Sequence, residues 1–203
     1  HSQLRVYRKM NQQKKLKIVG FDPSYRNWGI AIGSAPLDTG VMTIDELQTI
    51  CTEQQPKGGS VRASTWDIQC AYSLFEGVYN VAKDADVICV EVPTGAQNNK
   101  GATGHGICIG ILGSLFSNKL ILVTPQSVKK IIGAKDATKA ESVALAVKKH
   151  PEAPWPMYRG KVSVGKAEHC ADAIHAIYAA AQTKEFKQLI QEYNHANPNQ
   201  ETA

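Results

Sequence analysis

No apolar run in this chain approaches the ~18 residues that a membrane-spanning helix requires, and its 203 residues contain no internal repeat and no low-complexity tract. The opening residues also lack the apolar core of a signal peptide, being rich in Lys, Arg and Gln instead. The expectation is a soluble, intracellular protein of the cytoplasm or nucleoid, with a viral or organellar setting equally open. A disulfide framework is missing as well. Cys51, Cys70, Cys89, Cys108 and Cys170 are odd in number, widely scattered and without C-x-x-C spacing, so they read as reduced core residues. The length is too short for two ordinary domains. It implies one domain over 1–203, with 1–15 a flexible basic start and 183–203 a C-terminal helix and tail.

Acidic residues are absent from the first 17 positions, which hold six Lys or Arg. Seven lysines lie between Lys119 and Lys149 against only Asp136 and Glu141. With a net charge of +5, the two basic stretches suit a polyanionic partner or an ordinary solvated face.

Leu16–Phe21 and Trp28–Ile32 are short apolar runs around a turn containing Pro23, Ser24 and Asn27, which predicts a hairpin. Val41–Ile44 is a candidate third strand, and Gln54–Ser64 a mobile loop. Trp66, Cys70, Leu74, Val78 and Val81 recur at steps of three and four, the stripe of a helix over Ser64–Asp84. Val87–Val92 reads as a strand covered on both faces, and Leu120–Thr124 as another. A helix is expected over Gly104–Asn118. Gly106, Gly110 and Gly113 leave one of its faces bare, which suits close packing against another helix or against its own sheet. Two short helices follow over Gln126–Ile132 and Thr138–Lys148, joined at Gly133, and Thr138 with Glu141 forms a capping-box pattern. A single long helix is expected over Ala167–Tyr193. The order implies an α/β fold with a mixed sheet.

Three acids stand where apolar residues would be expected. Asp22 ends the first strand, Glu91 interrupts VICVEV, and Asp172 lies inside the helical AEHCADAIHAIYAA. At 100° per residue His169 and Asp172 share a face with Ala173, Ala176 and Ala180, small residues that let something approach closely. Each acid alone is ordinary, and an isolated D-P-S is usually a turn. Together, strand-end Asp, strand-end Glu and helical H-x-x-D describe one site, because buried carboxylates need a partner or a metal. Three carboxylates and an imidazole suit a pair of hard divalent ions about 4 Å apart acting on a phosphodiester.

Four blocks, IVGFDPSYRNWGIAI, VICVEVPTGAQNNKGATGHGICIG, TPQSVKKIIGAKDATKAES and EHCADAIHAIYAA, resemble in order those of the RuvC-type Holliday junction resolvases of the ribonuclease H-like superfamily. The resemblance runs from about Leu16 to Ala181. It implies a five-stranded mixed sheet flanked by helices, and a homodimeric, Mg²⁺-dependent endonuclease that cuts four-way DNA junctions by paired symmetric nicks. Two ions would be held by Asp22, Glu91, His169 and Asp172, with Mn²⁺ as a substitute, and His169 would serve as ligand or proton acceptor. Lys129 or Lys130, and Lys139, fall where the family places basic residues near the DNA backbone, with Lys135 and Arg62 as further candidates. The Gly104–Asn118 helix matches the family's dimer helix. One departure is plain: Val92-Pro93-Thr94-Gly95-Ala96-Gln97 lacks the aromatic that many members carry after the second acid.

Two other readings keep the fold, a nuclease for flaps, forks or RNA and a non-catalytic junction-binding module. A sugar-kinase-like phosphotransferase would need a second domain.

Overall fold

The computed structural model describes residues 15–36, 42–55, 58, 60–95, 98–117, 119–133 and 136–196. Strands β1 (Lys15–Asp22), β2 (Asn27–Pro36) and β3 (Thr43–Cys51) form an antiparallel meander. Beside β1 run β4 (Val87–Glu91) and β5 (Leu120–Val123), both parallel to it, giving the order β3-β2-β1-β4-β5. The mixed five-stranded sheet of the sequence reading is therefore present.

The period of two along each strand sorts the core into two halves. Val19 and Phe21 of β1, Trp28 and Ile30 of β2, and Ile88 and Val90 of β4 pack on one side against Leu74 and Val78 of α1 (Ala63–Ala82) and Ile111 and Leu112 of α2 (Asn99–Ser114). Leu74 and Val78 are fully buried, each a contribution of ~1.5–3 kcal/mol. On the other side Leu16 and Ile18 of β1, Val87 and Cys89 of β4, and Ile121 and Val123 of β5 meet Val128 of α3 (Pro125–Ile132), Val143 of α4 (Lys139–Lys149) and Ile174 and Ile177 of α5 (Val164–Ala180).

Helix α5 lies unusually close to the sheet. A Cβ on Gly20 would run into the carbonyl oxygen of Ala173, and one on Gly29 into the backbone of His169. Two glycines on β1 and β2 and a run of alanines on α5 thus remove the side chains that would hold helix and sheet apart. The small-residue face expected on this helix is filled by the chain's own sheet.

Several expectations are corrected. The third strand is longer than Val41–Ile44 and starts at Thr43, Val41 lying outside the described residues. The Ala167–Tyr193 helix is two helices, α5 and α6 (Lys184–Ala196). Thr183 makes the break: its Oγ1 donates to the Ala180 carbonyl at 2.7 Å and accepts from the Phe186 N–H at 3.2 Å, capping α6 where no Gly or Pro marks an end. A two-stranded hairpin, β6 (Met157–Tyr158) and β7 (Lys161–Val162), follows the proline-rich segment. Its turn carries positive φ at both Arg159 (49°) and Gly160 (75°), the geometry of a tight primed turn without the usual Asn-Gly.

Helix α2 starts at Asn99, capped by Asn98, rather than at Gly104. Its Gly106, Gly110 and Gly113 face open space and not the sheet. Of the cysteines, Cys70, Cys89, Cys108 and Cys170 are buried and free as expected, whereas Cys51 is exposed at the end of β3. The expected flexible start is outside the described residues except for Lys15, which begins β1. The Gln54–Ser64 loop lies partly outside them, and α1 already begins at Ala63. Among the described residues no helix is long and apolar enough to cross a membrane.

Candidate active site

Strand parity sets the first two acids. Asp22 shares the α5-facing side of β1 with Leu16, Ile18 and Gly20, and Glu91 shares that side of β4 with Val87 and Cys89. Parallel register pairs Phe21 with Val90, so the next residues on each strand, Asp22 and Glu91, end side by side. Helix α5 then brings His169 and Asp172 over these tips. Asp22 pairs across the hairpin with Gly29, the glycine on which the His169 backbone rests, and His169 Nδ1 lies 2.8 Å from Asp22 Oδ2.

The four residues act on one another electrostatically. Burial raises the Glu91 pKa to about 7, with Asp22 and then Asp172 adding to the rise and Lys129 opposing it. Burial likewise raises Asp172 to about 6, assisted by Asp22, while a hydrogen bond from Ser142 and the charge of His169 oppose it. The His169 pKa is raised chiefly by its hydrogen bond to Asp22. Glu91 and Asp172 therefore keep their protons to higher pH than free carboxyls do, because burial and a neighbouring carboxylate both disfavour their charge.

Glu168, which sequence reasoning passed over, completes the cluster. Its Oε1 lies 3.4 Å from His169 Nε2 and its Oε2 2.8 Å from Lys139 Nζ. Both ring nitrogens of His169 therefore face carboxylates. Ser142 on α4 was also missed, and its Oγ donates to Asp172 Oδ1 at 3.1 Å. A pocket of about 150 Å³ opens here, lined by Lys129, Thr138, Lys139, Ser142, Glu168 and Asp172 among others. On the far side of Asp22 a larger cavity of about 410 Å³ is lined by Ser24, Tyr25, Arg26, Pro93, Asn98 and His105 among others. There Arg26 stacks on the Tyr25 ring at 4.6 Å, and the Tyr25 hydroxyl donates to Asp67 Oδ1 at 2.5 Å. The S-Y-R-N turn carried these two residues in plain view of the sequence.

Of the basic candidates, Lys129 and Lys139 line the smaller pocket. Lys130, exposed on α3, and Arg62, at the N-cap of α1, do not line either cavity. Lys135 lies outside the described residues.

Asp22, Glu91 and Asp172 supply the hard carboxylate oxygens that a divalent ion takes, and burial with the neighbouring Asp22 disfavours the uncompensated charge of Glu91 and Asp172. Among the described residues, though, no three His, Cys, Asp or Glu side chains are gathered as a ready-made coordination shell. The imidazole is instead engaged with Asp22.

No protein-family model matches the chain, and no curated protein matches its sequence. Solved structures do. Thermus thermophilus RuvC in complex with a Holliday junction substrate superposes with a TM-score of 0.54 at 16% identity, over 81% of this chain and 95% of that one. A second Thermus thermophilus RuvC structure gives 0.51 at 16%, over 89% and 96%. The yeast mitochondrial Holliday junction resolvase gives 0.56 at 11%, over 97% and 90%. The chain shares the α/β fold of these solved structures.

Proposed function

We propose that this chain is a divalent-metal-dependent endonuclease that resolves four-way DNA junctions by paired nicks. The observation that carries the reading is the meeting of Asp22, Glu91 and Asp172, with His169, at one end of the sheet. Likeness in fold to proteins named as junction resolvases supports the choice of substrate.

Asp22, Glu91 and Asp172 would hold two Mg²⁺ or Mn²⁺ ions. When bound, such ions lower the pKa of water and stabilise the charge of a leaving oxygen. His169 donates from Nδ1 to Asp22 and so orients that carboxylate. In the neutral ring Nε2 is the base, and the Glu168 carboxylate 3.4 Å from it would stabilise the proton it takes from the attacking water. The resulting hydroxide forms the new P–O bond as the bond to the 3′-oxygen breaks. Lys129 and Lys139 supply positive charge along the pocket for the DNA backbone, a contribution that depends on salt and little on sequence. Lys139 is shared with Glu168, so part of its charge is already offset.

The test is cleavage of an immobile four-way junction in Mg²⁺ with Asp22→Asn and Glu91→Gln beside the wild type. Cleavage should fall by ~10²–10³-fold, since several kcal/mol of charge stabilisation are removed and each 1.36 kcal/mol is tenfold. Junction binding should persist. Faster cutting of Y-forks than of junctions would favour a fork or flap nuclease, and unchanged processing by Asp22→Asn would leave only a binding module.

A further inference from the structure

Asp172 is held by a side chain of a neighbouring helix, α4. Its Oδ1 accepts a hydrogen bond from Ser142 Oγ at 3.1 Å. Ser142 is 7% exposed, one of the few polar residues on the buried side of α4, where Val143 and Ala146 pack on α5. A hydroxyl in such a place needs a reason.

Ser142 is itself fixed from two directions. Its N–H bonds the Thr138 carbonyl, the N-cap of α4. Its carbonyl lies 3.1 Å from Nε2 of His175, which is wholly buried in α5. Because a carbonyl only accepts, that nitrogen carries the ring proton, and His175 Nδ1 has no partner. A buried ring with one unpartnered nitrogen is costly, and the bond it does make ties the turn of α4 that bears Ser142 to the helix that bears Asp172. His175 lies three residues after Asp172, so the two contacts clamp the same stretch of α5.

We infer that Ser142 is a positioning residue for Asp172: its hydroxyl, on a turn of α4 whose backbone carbonyl is tied to His175, holds Oδ1 and leaves Oδ2 for the cation of the proposed site. This rests on the reading of Asp172 as a metal ligand. Groups that hydrogen-bond to ligating carboxylates typically change metal affinity by ~10–100-fold, whereas a residue that merely packs does not.

The experiment measures Mn²⁺ binding to the DNA-free protein by electron paramagnetic resonance, and junction cleavage across a Mg²⁺ titration, for wild type, Ser142→Ala and Ser142→Thr. Alanine keeps the helix, and a thermal melt checks the fold. Ser142→Ala is expected to need ~10–100-fold more metal in both assays while its rate at saturating metal stays within a few-fold. Ser142→Thr, which keeps the hydroxyl, should restore the wild-type titration. Identical metal curves for Ser142→Ala and wild type would overturn the inference and leave the function standing. A wild type that neither binds Mn²⁺ nor cuts would instead overturn the function.

Discussion

The side chains of Glu91 and Asp172 are held at unusual protonation equilibria, about 7 and about 6, by burial first and by neighbouring carboxylates second. A carboxyl whose folded pKa exceeds its unfolded one binds an extra proton when folded, so its contribution to stability is lost as pH rises between the two values. His169, raised mainly by Asp22, has the same sign: its contribution is present below ~6.5 and lost above its folded pKa. Buried His175, whose pKa burial lowers, has the opposite sign over the same window, so the comparison is with Glu91→Gln: from pH 5 to pH 8 the metal-free wild type should lose more melting temperature, or gain less, than this variant. Added Mg²⁺ should raise the melting temperature at pH 8 and hardly at pH 5, because ionised carboxylates bind the cation and protonated ones do not. The same pH dependence in both proteins, or a melting temperature independent of Mg²⁺, would contradict this. Asp22, Glu91 and Asp172 were legible in the sequence because each interrupts an apolar context, and His169 because it lies one helical turn from Asp172. Glu168 was not, since a glutamate near the start of a helix is usually a solvated charge. Its role emerges only from Lys139, which lies on another helix 29 positions earlier in the chain. Ser142 stayed hidden for a similar reason, its acceptor lying 30 residues away.

At the level of elements, the close contact between α5 and the sheet is what delivers His169 to Asp22. Gly29→Ala would place a methyl group against the His169 backbone and its Cβ. Overpacking of this kind costs ~1–3 kcal/mol, and α5 can relieve it only by lifting off the strand tips. We expect Gly29→Ala to lower the midpoint of denaturant unfolding and to reduce cleavage by more than the loss of folded protein explains. A Gly29→Ala variant that unfolds and cuts like wild type would contradict the assigned role of Gly29. The glycines of β1 and β2 were visible as strand residues, but nothing local says which helix they admit. The same limit hid the break between α5 and α6. Thr183 can sit inside a helix or cap the next one, and the packing of Phe186 against the core decides it. Strand parity needed no such tertiary information, which is why both strand-end acids were found.

Over the whole molecule, α1 and α2 form one layer whose outer side is unlike the rest of the surface. Along α1, Ile68 (70% exposed), Tyr72 (63%), Phe75 and Tyr79 recur at steps of four, three and four, opposite the buried Cys70, Leu74 and Val78. Helix α1 thus has two apolar stripes and only one is covered. On α2 the bare glycine face is flanked by the exposed Ile109, and Phe116 just beyond the helix is 76% exposed. An apolar surface of this extent marks an interaction site, and a bare helical face lets a second helix approach its backbone. We propose a second copy of the chain as its occupant, because the proposed function, cutting two equivalent strands of a two-fold junction together, takes two active sites. Gly110→Leu tests the assignment without touching the core. Its Cβ meets nothing within 4 Å, and leucine is the better helix former by up to ~1 kcal/mol, so the fold of each subunit should survive the substitution. Sedimentation should show a shift from dimer to monomer. On a supercoiled plasmid bearing an extruded cruciform, paired nicks yield linear DNA, whereas uncoupled subunits nick one strand and release the supercoil before a second cut. The variant is therefore expected to turn the product from linear to nicked circle at a similar rate of first cleavage. A Gly110→Leu dimer that still yields linear DNA would place the subunit contact elsewhere.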